Sequence, residues 1–184
     1  MSEARWRWTL STWMSASRVL LVLPLWYCLF HEFPGHRFWA LAVIVIGVGS
    51  DFLDGYLARR WHQVSELGKI IDPVADKIGI GSLAVFLMIL GDLPVWYGAF
   101  ILLRDVLILI GGISITRRKD IIPQSNWPGK IAVGIVSAVL FFATLGVEQL
   151  SVLVSVLMWL SVAVMLVSLG VYADRLFIGR RAHG

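Results

Sequence analysis

The chain has 184 residues, of which 58% are hydrophobic and only 15% charged, with a formal net charge of +4 at pH 7. Soluble domains carry about a quarter charged residues and disordered chains are poorer in apolar ones, so both classes are excluded. One cysteine, Cys28, leaves no internal disulfide framework. On so apolar a chain the basic balance reads as membrane topology, and no nucleic-acid partner is expected.

A spanning helix needs roughly 20 predominantly apolar residues. Six runs approach that length, at about 14–31, 37–58, 70–90, 94–116, 128–147 and 150–174. They are separated by polar or breaker segments such as His31-Glu32-Phe33-Pro34-Gly35-His36 and Gly91-Asp92-Leu93-Pro94. The pattern predicts an all-α integral membrane protein of six transmembrane helices. Continuous runs rather than alternating ones exclude a β-barrel. Ahead of the first run, residues 1–13 include Arg5-Trp6-Arg7-Trp8, a cation–indole mixture that suits a short interfacial helix, with a solvated tail as the alternative. Arg18 interrupts the first run and no small-residue cleavage site follows it, so it is expected to be a span and not a signal peptide. Without repeats or linkers, residues 1–184 are expected to form one domain.

Lysines and arginines orient the spans. Arg5 and Arg7, then Arg59, Arg60 and Lys69, then Arg117, Arg118, Lys119 and Lys130, and finally Arg175, Arg180 and Arg181 fall on one side, whereas the opposite loops hold only Arg37. The positive-inside rule places both termini and the two longer loops in the cytoplasm of a cell-membrane protein.

The informative residues are acidic. Asp51 and Asp54 lie near the cytoplasmic end of the second run, and Asp72 and Asp76 open the third on the same side. An aspartate at a helix centre costs about 2.5–3.5 kcal/mol on insertion scales, so intramembrane carboxylates are functional candidates. Spacings of three and four put each pair on one helical face. Carboxylates from two neighbouring antiparallel helices make a hard oxygen cage, suited to magnesium or manganese rather than zinc, and two divalent ions would cancel their charge. Gly55, directly after Asp54, leaves space for a ligand beside such ions. The bland alternative is a salt-bridge network with Arg59, Lys69 and Lys77, which does not account for the paired spacing. Gly79 and Gly81 are explained by close helix packing.

Asp51-Phe52-Leu53-Asp54-Gly55-Tyr56-Leu57-Ala58-Arg59, followed after eight residues by Gly68 and then by Asp72 and Asp76, resembles the CDP-alcohol phosphotransferase signature D-x-x-D-G-x-x-A-R-x8-G-x3-D-x3-D at every fixed position. The resemblance implies a membrane enzyme in which an alcohol attacks a CDP-linked lipid, usually CDP-diacylglycerol, releasing CMP. It implies that Asp51, Asp54, Asp72 and Asp76 hold two metal ions and that Asp76 also serves as general base. Gly55, Ala58, Arg59 and Gly68 would form the cytidine diphosphate pocket, with Arg59 facing phosphate. A homodimer is implied as well.

For the acceptor, Asp72-Pro73-Val74-Ala75-Asp76-Lys77 is similar to the form in phosphatidylglycerophosphate and cardiolipin synthases of this superfamily. Ser15-Ala16-Ser17-Arg18 and Gly129-Lys130 resemble motifs of glycerophosphate users, although Asn-Pro is missing before the first and Ala132 replaces a lysine in the second. Arg104-Asp105 is closer to the cardiolipin synthases. Glycerol 3-phosphate is the first expectation, then phosphatidylglycerol, then an inositol phosphate or another alcohol. Arg104, Arg118 and Lys130 are the candidates for an acceptor-phosphate pocket. Arg104 lies inside a span and needs an anionic partner; Asp105, as its immediate neighbour, is not expected to share its helical face.

His31, His36, His62 and His183 show no metal-ligand spacing and are expected at surfaces or interfaces. Trp26, Trp96, Trp127 and Trp159 suit apolar packing or aromatic belts, and Phe141 and Phe142 the core or lipid. Two rival classes use acidic pairs differently. An intramembrane prenyltransferase would ionise a prenyl diphosphate and generally has more spans. A divalent-cation transporter would place its site near the midplane, in broken helices or repeats.

Overall fold

A computed structural model describes the backbone of residues 19–61, 68–119 and 127–181; the side chains of 51–61, 68–76, 111–119, 172 and 174–181 lie outside the description. Among the described residues every regular element is helical: α1 (Val22–Phe30), α2 (His36–Trp61), α3 (Gly68–Leu90), α4 (Val95–Lys119), α5 (Trp127–Leu145), a 3-10 turn (Glu148–Leu150) and α6 (Ser151–Arg181). The helices follow the apolar runs because a backbone in lipid must satisfy its polar groups internally. Two stretches, Trp127–Leu145 and Glu148–Val171, are long and apolar enough to cross a bilayer, and His36–Ser50 and Lys77–Leu90 are shorter apolar helices. The proposed interfacial segment 1–13 and the start of the first run lie outside the described residues.

The turns are built by the breakers. Gly91, with φ +82°, ends α3 in the left-handed region and returns its N–H to the Met88 carbonyl at 3.3 Å. Pro94 then starts α4, its carbonyl accepting from Tyr97 at 3.0 Å and Gly98 at 3.2 Å. Between α1 and α2, the His36 N–H donates to Phe33 at 3.0 Å and the Trp39 N–H to Gly35 at 3.1 Å.

The chain packs as two compact units. One comprises the described residues up to Asp92 together with Thr144–Gly146; the other comprises Leu93–Ala143 and the chain from Val147 onward. In the first unit α1 packs on both α2 and α3, with Leu25, Cys28 and Leu29 buried and Phe30 meeting Phe86 edge-on at 5.6 Å. Arg37 joins its turns. Its Nη2 donates to Asp92 Oδ1 at 3.3 Å, and its Nη1 donates to the Thr144 carbonyl at 3.2 Å. Nη1 also lies 2.9 Å from Asp92 Oδ2 as a charge contact, without the alignment of a hydrogen bond. Gly146 has φ +62°, and a Cβ there would run into the Arg37 guanidinium. Glycine is thus demanded twice at that position, by conformation and by space.

In the second unit α4 packs on α6. Among the described residues the buried side chains on α4 are Tyr97, Ile101 and Arg104; those on α6 are Met158, Ser161, Met165 and Ser168. Both sets recur with alternating steps of three and four, the pattern of a heptad seam. Tyr97 and Ser161, Ile101 and Met165, and Arg104 and Ser168 all differ by the same 64 residues, so they read as successive layers of one parallel register.

Many large apolar side chains face outward, among them Phe38, Trp39, Trp127 and Val152 at 61–78% exposure. Such a surface is an association patch in water and an ordinary one in lipid. The described fold is all-helical, and its two candidate spans are consistent with a membrane protein.

Candidate active site

Asp51 and Asp54 are carried by the second half of α2, and Asp72 and Asp76 by the first turns of α3. Helical backbone at both places gives each pair the one-face arrangement that its spacing predicts. The side chains of all four, and those of Ala58 and Arg59, lie outside the described residues, as does that of Arg118 near the end of α4; Gly55 is on α2 and Gly68 is the first residue of α3. The donor set these helices carry, carboxylate oxygen throughout, fits a hard divalent cation. Among the described residues no group of three or more His, Cys, Asp or Glu is assembled elsewhere as a metal site.

Arg104 is 6% exposed, one of the few charged or polar residues in the core. Its Nη1 donates to Asp105 Oδ1 at 2.8 Å, and its Nε is buried with no hydrogen-bond partner. Asp105 does not share the helical face of Arg104, yet the two side chains pair. Adjacent Cβ atoms diverge by about 100° on a helix, but a guanidinium on a long stem swings across that angle, and in an apolar surround pairing is favoured over two separate charges. Asp105 therefore supplies the anionic partner that a lone buried arginine would require, and the buried Nε is left without a hydrogen-bond partner.

Lys130, on α5, is exposed, with Nζ 5.7 Å from the centre of the Trp127 ring. That contact holds the ammonium by cation–π attraction near the start of the helix. The histidines within the described residues are engaged locally. His31 Nδ1 lies 3.2 Å from the Tyr27 carbonyl and His36 Nδ1 lies 3.1 Å from the Cys28 carbonyl, so each donates from Nδ1. Trp96 and Trp159 pack ring against ring at 5.4 Å, and Phe141 meets Phe142 edge-on at 5.6 Å.

One polar feature escaped the reading of the sequence. Tyr97 and Ser161, both fully buried, place their hydroxyl oxygens 2.6 Å apart. Ser161 spends its only proton on the Met158 carbonyl at 2.7 Å, which makes Tyr97 the donor between the two. The signal was the seven-residue repeat that sets Tyr97 above Arg104 and Ser161 above Ser168.

Comparison with known proteins decides the lineage. Residues 8–167 match the CDP-alcohol phosphatidyltransferase family. The chain belongs to that family. Among its relatives is a cardiolipin synthase (CMP-forming) of Streptomyces coelicolor, 42% identical over 113 residues, which cover 60% of this chain and 52% of the relative. A probable phosphatidylglycerophosphate synthase of Mycobacterium tuberculosis is 35% identical over 116 residues, 61% of this chain and 54% of the relative. A CDP-diacylglycerol–glycerol-3-phosphate 3-phosphatidyltransferase of Mycoplasma pneumoniae is 32% identical over 148 residues, 73% of this chain and 65% of that protein. The chain thus aligns with about half the length of the first two. Membership agrees with the signature at 51–76, which lies inside the matched range.

Proposed function

We propose that this family member transfers a phosphatidyl group from CDP-diacylglycerol to glycerol 3-phosphate, giving phosphatidylglycerophosphate and CMP. The observation that carries the reading is the complete signature from Asp51 to Asp76, set on two helices within the family match. Asp51, Asp54, Asp72 and Asp76 would hold two divalent ions, magnesium or manganese. When bound, such ions neutralise the pyrophosphate and stabilise the departing CMP. Gly55, Ala58 and Gly68 leave room for the cytidine diphosphate, and Arg59 pairs with its phosphate. Asp76 takes the acceptor's hydroxyl proton as the oxygen attacks the phosphatidyl phosphorus. The new bond joins acceptor oxygen to phosphorus; the bond that breaks joins that phosphorus to the bridging oxygen, which leaves on CMP with the electron pair. Arg104, Arg118 and Lys130 bind the acceptor's phosphate.

In this reading residues 1–184 form one phosphotransferase domain of six spans, both termini and the active site face the cytoplasm, and two copies form a homodimer. A second acceptor, phosphatidylglycerol, is favoured by a specific observation: Asp105 already neutralises Arg104, which weakens its pull on a dianionic phosphomonoester and suits a singly charged phosphodiester. The test is CMP release from CDP-diacylglycerol by the purified chain with magnesium, run in parallel with glycerol 3-phosphate, phosphatidylglycerol and inositol phosphate. Release with glycerol 3-phosphate alone supports the first reading, release with phosphatidylglycerol alone the second. No release with any acceptor removes the proposed reaction, and ion flux in liposomes without a lipid product would favour transport instead.

A further inference from the structure

The polar contact that Arg104 makes among the described residues is with Asp105, on its own helix, so it rides wherever α4 places it. What places α4 is the seam with α6. Much of that seam gives no fixed register: its buried apolar residues include two methionines, Met158 and Met165, and unbranched thioether side chains adapt to many arrangements. In lipid, apolar contacts between helices gain little from any single alignment. A directional element is the buried bond from Tyr97 to Ser161, itself anchored on the Met158 carbonyl. A slide of one helical turn moves a helix about 5.4 Å along its axis, enough to break a hydroxyl contact of 2.6 Å. Tyr97 and Arg104 stand one heptad apart on the same face, separated by about 10.5 Å of rigid helix.

We propose that Tyr97 and Ser161 are positioning residues whose buried hydroxyl pair locks the register of α4 on α6 and so sets the depth and rotation at which Arg104 is presented to the acceptor. The role in acceptor binding rests on the reading of Arg104 given above; the lock itself does not.

The test combines kinetics with a distance measurement. In the purified full chain, Tyr97→Phe and Ser161→Ala each raise the KM for the acceptor that supports turnover, by about three- to tenfold, with the KM for CDP-diacylglycerol unchanged. Ser161→Thr, which keeps the hydroxyl, restores it. In the double variant Tyr97→Phe/Ser161→Ala no hydroxyl is orphaned, so Tm recovers while the acceptor KM stays high. A wild-type acceptor KM in the double variant, or donor and acceptor KM moving together in step with Tm, overturns the positioning role. An acceptor KM unmoved by Arg104→Ala would instead fault the acceptor reading of Arg104. The lock is judged independently of turnover by spin labels at Leu103 and Leu166, on exposed faces of α4 and α6, in a Cys28→Ala background. The double variant broadens or shifts their distance distribution; an unchanged distribution overturns the lock.

Discussion

Two polar regions lie inside this apolar chain and are recorded in opposite ways. The carboxylates of α2 and α3 fall within residues 51–76, close enough in sequence for spacing alone to expose them. Tyr97 and Ser161 are 64 residues apart and each reads, alone, as an unremarkable member of a hydrophobic helix. Acidic groups clustered at helical spacing stand out in an apolar sequence. Groups that satisfy each other internally do not, and only the packed helices reveal them.

Breaking the first region gives the largest effects. Asp76→Asn lowers CMP release by about 10²–10⁴-fold, the range for loss of a general base, with CDP-lipid binding at least partly retained; near-normal turnover would remove Asp76 from that role. Chelation with EDTA abolishes release, and added magnesium or manganese restores it. Activity that persists in chelator would argue against the metal reading. Between the regions stands Arg104→Ala, which raises the acceptor KM about ten- to 100-fold, the scale of one lost charge-assisted hydrogen bond, and leaves the donor KM in place.

Stability effects are smaller and sharpen the contrast. Gly146→Ala forces a side chain into the left-handed region, at about 1–2 kcal/mol, and displaces Arg37 from Asp92, so its Tm falls further than that of Arg37→Lys. Equal Tm values would deny the clash. Ser161→Ala leaves the Tyr97 hydroxyl buried without a partner, at about 1–3 kcal/mol, whereas Tyr97→Phe leaves Ser161 still bonded to Met158 and costs about 0.6 kcal/mol. Thermal unfolding in one detergent ranks the two, and the reverse order would contradict the donor assignment.

The apolar runs located the helices because hydropathy and helix formation agree wherever lipid surrounds the chain. They disagree at the ends. α2 continues to Trp61 beyond the expected 58, α4 to Lys119 beyond 116, and α6 to Arg181 beyond 174. Arginine and lysine are good helix formers, so a helix persists after its hydrophobicity has stopped. Pro34, Gly91 and Pro94 were legible as turns because their backbone limits are local. The Arg104–Asp105 pair was not, since spacing rules describe where Cβ atoms point and not how far a long side chain reaches. For the candidate site, the carboxylates were readable as a set, while the buried pairing of Tyr97 with Ser161 depends on contacts between helices distant in sequence.

The ion pair between Arg37 and Asp92 has a consequence for chain topology. Arg37 sits at the head of α2 and Asp92 just past the foot of α3, while residues 62–67 link the other ends of the same two helices. Covalent bonds at one end and a charge contact at the other turn the helical hairpin into a ring. An open hairpin relaxes by letting one rod creep past the other; a ring must break a bond first. The guanidinium and its aspartate therefore tie together the ends of α2 and α3 that are remote from the carboxylate pairs.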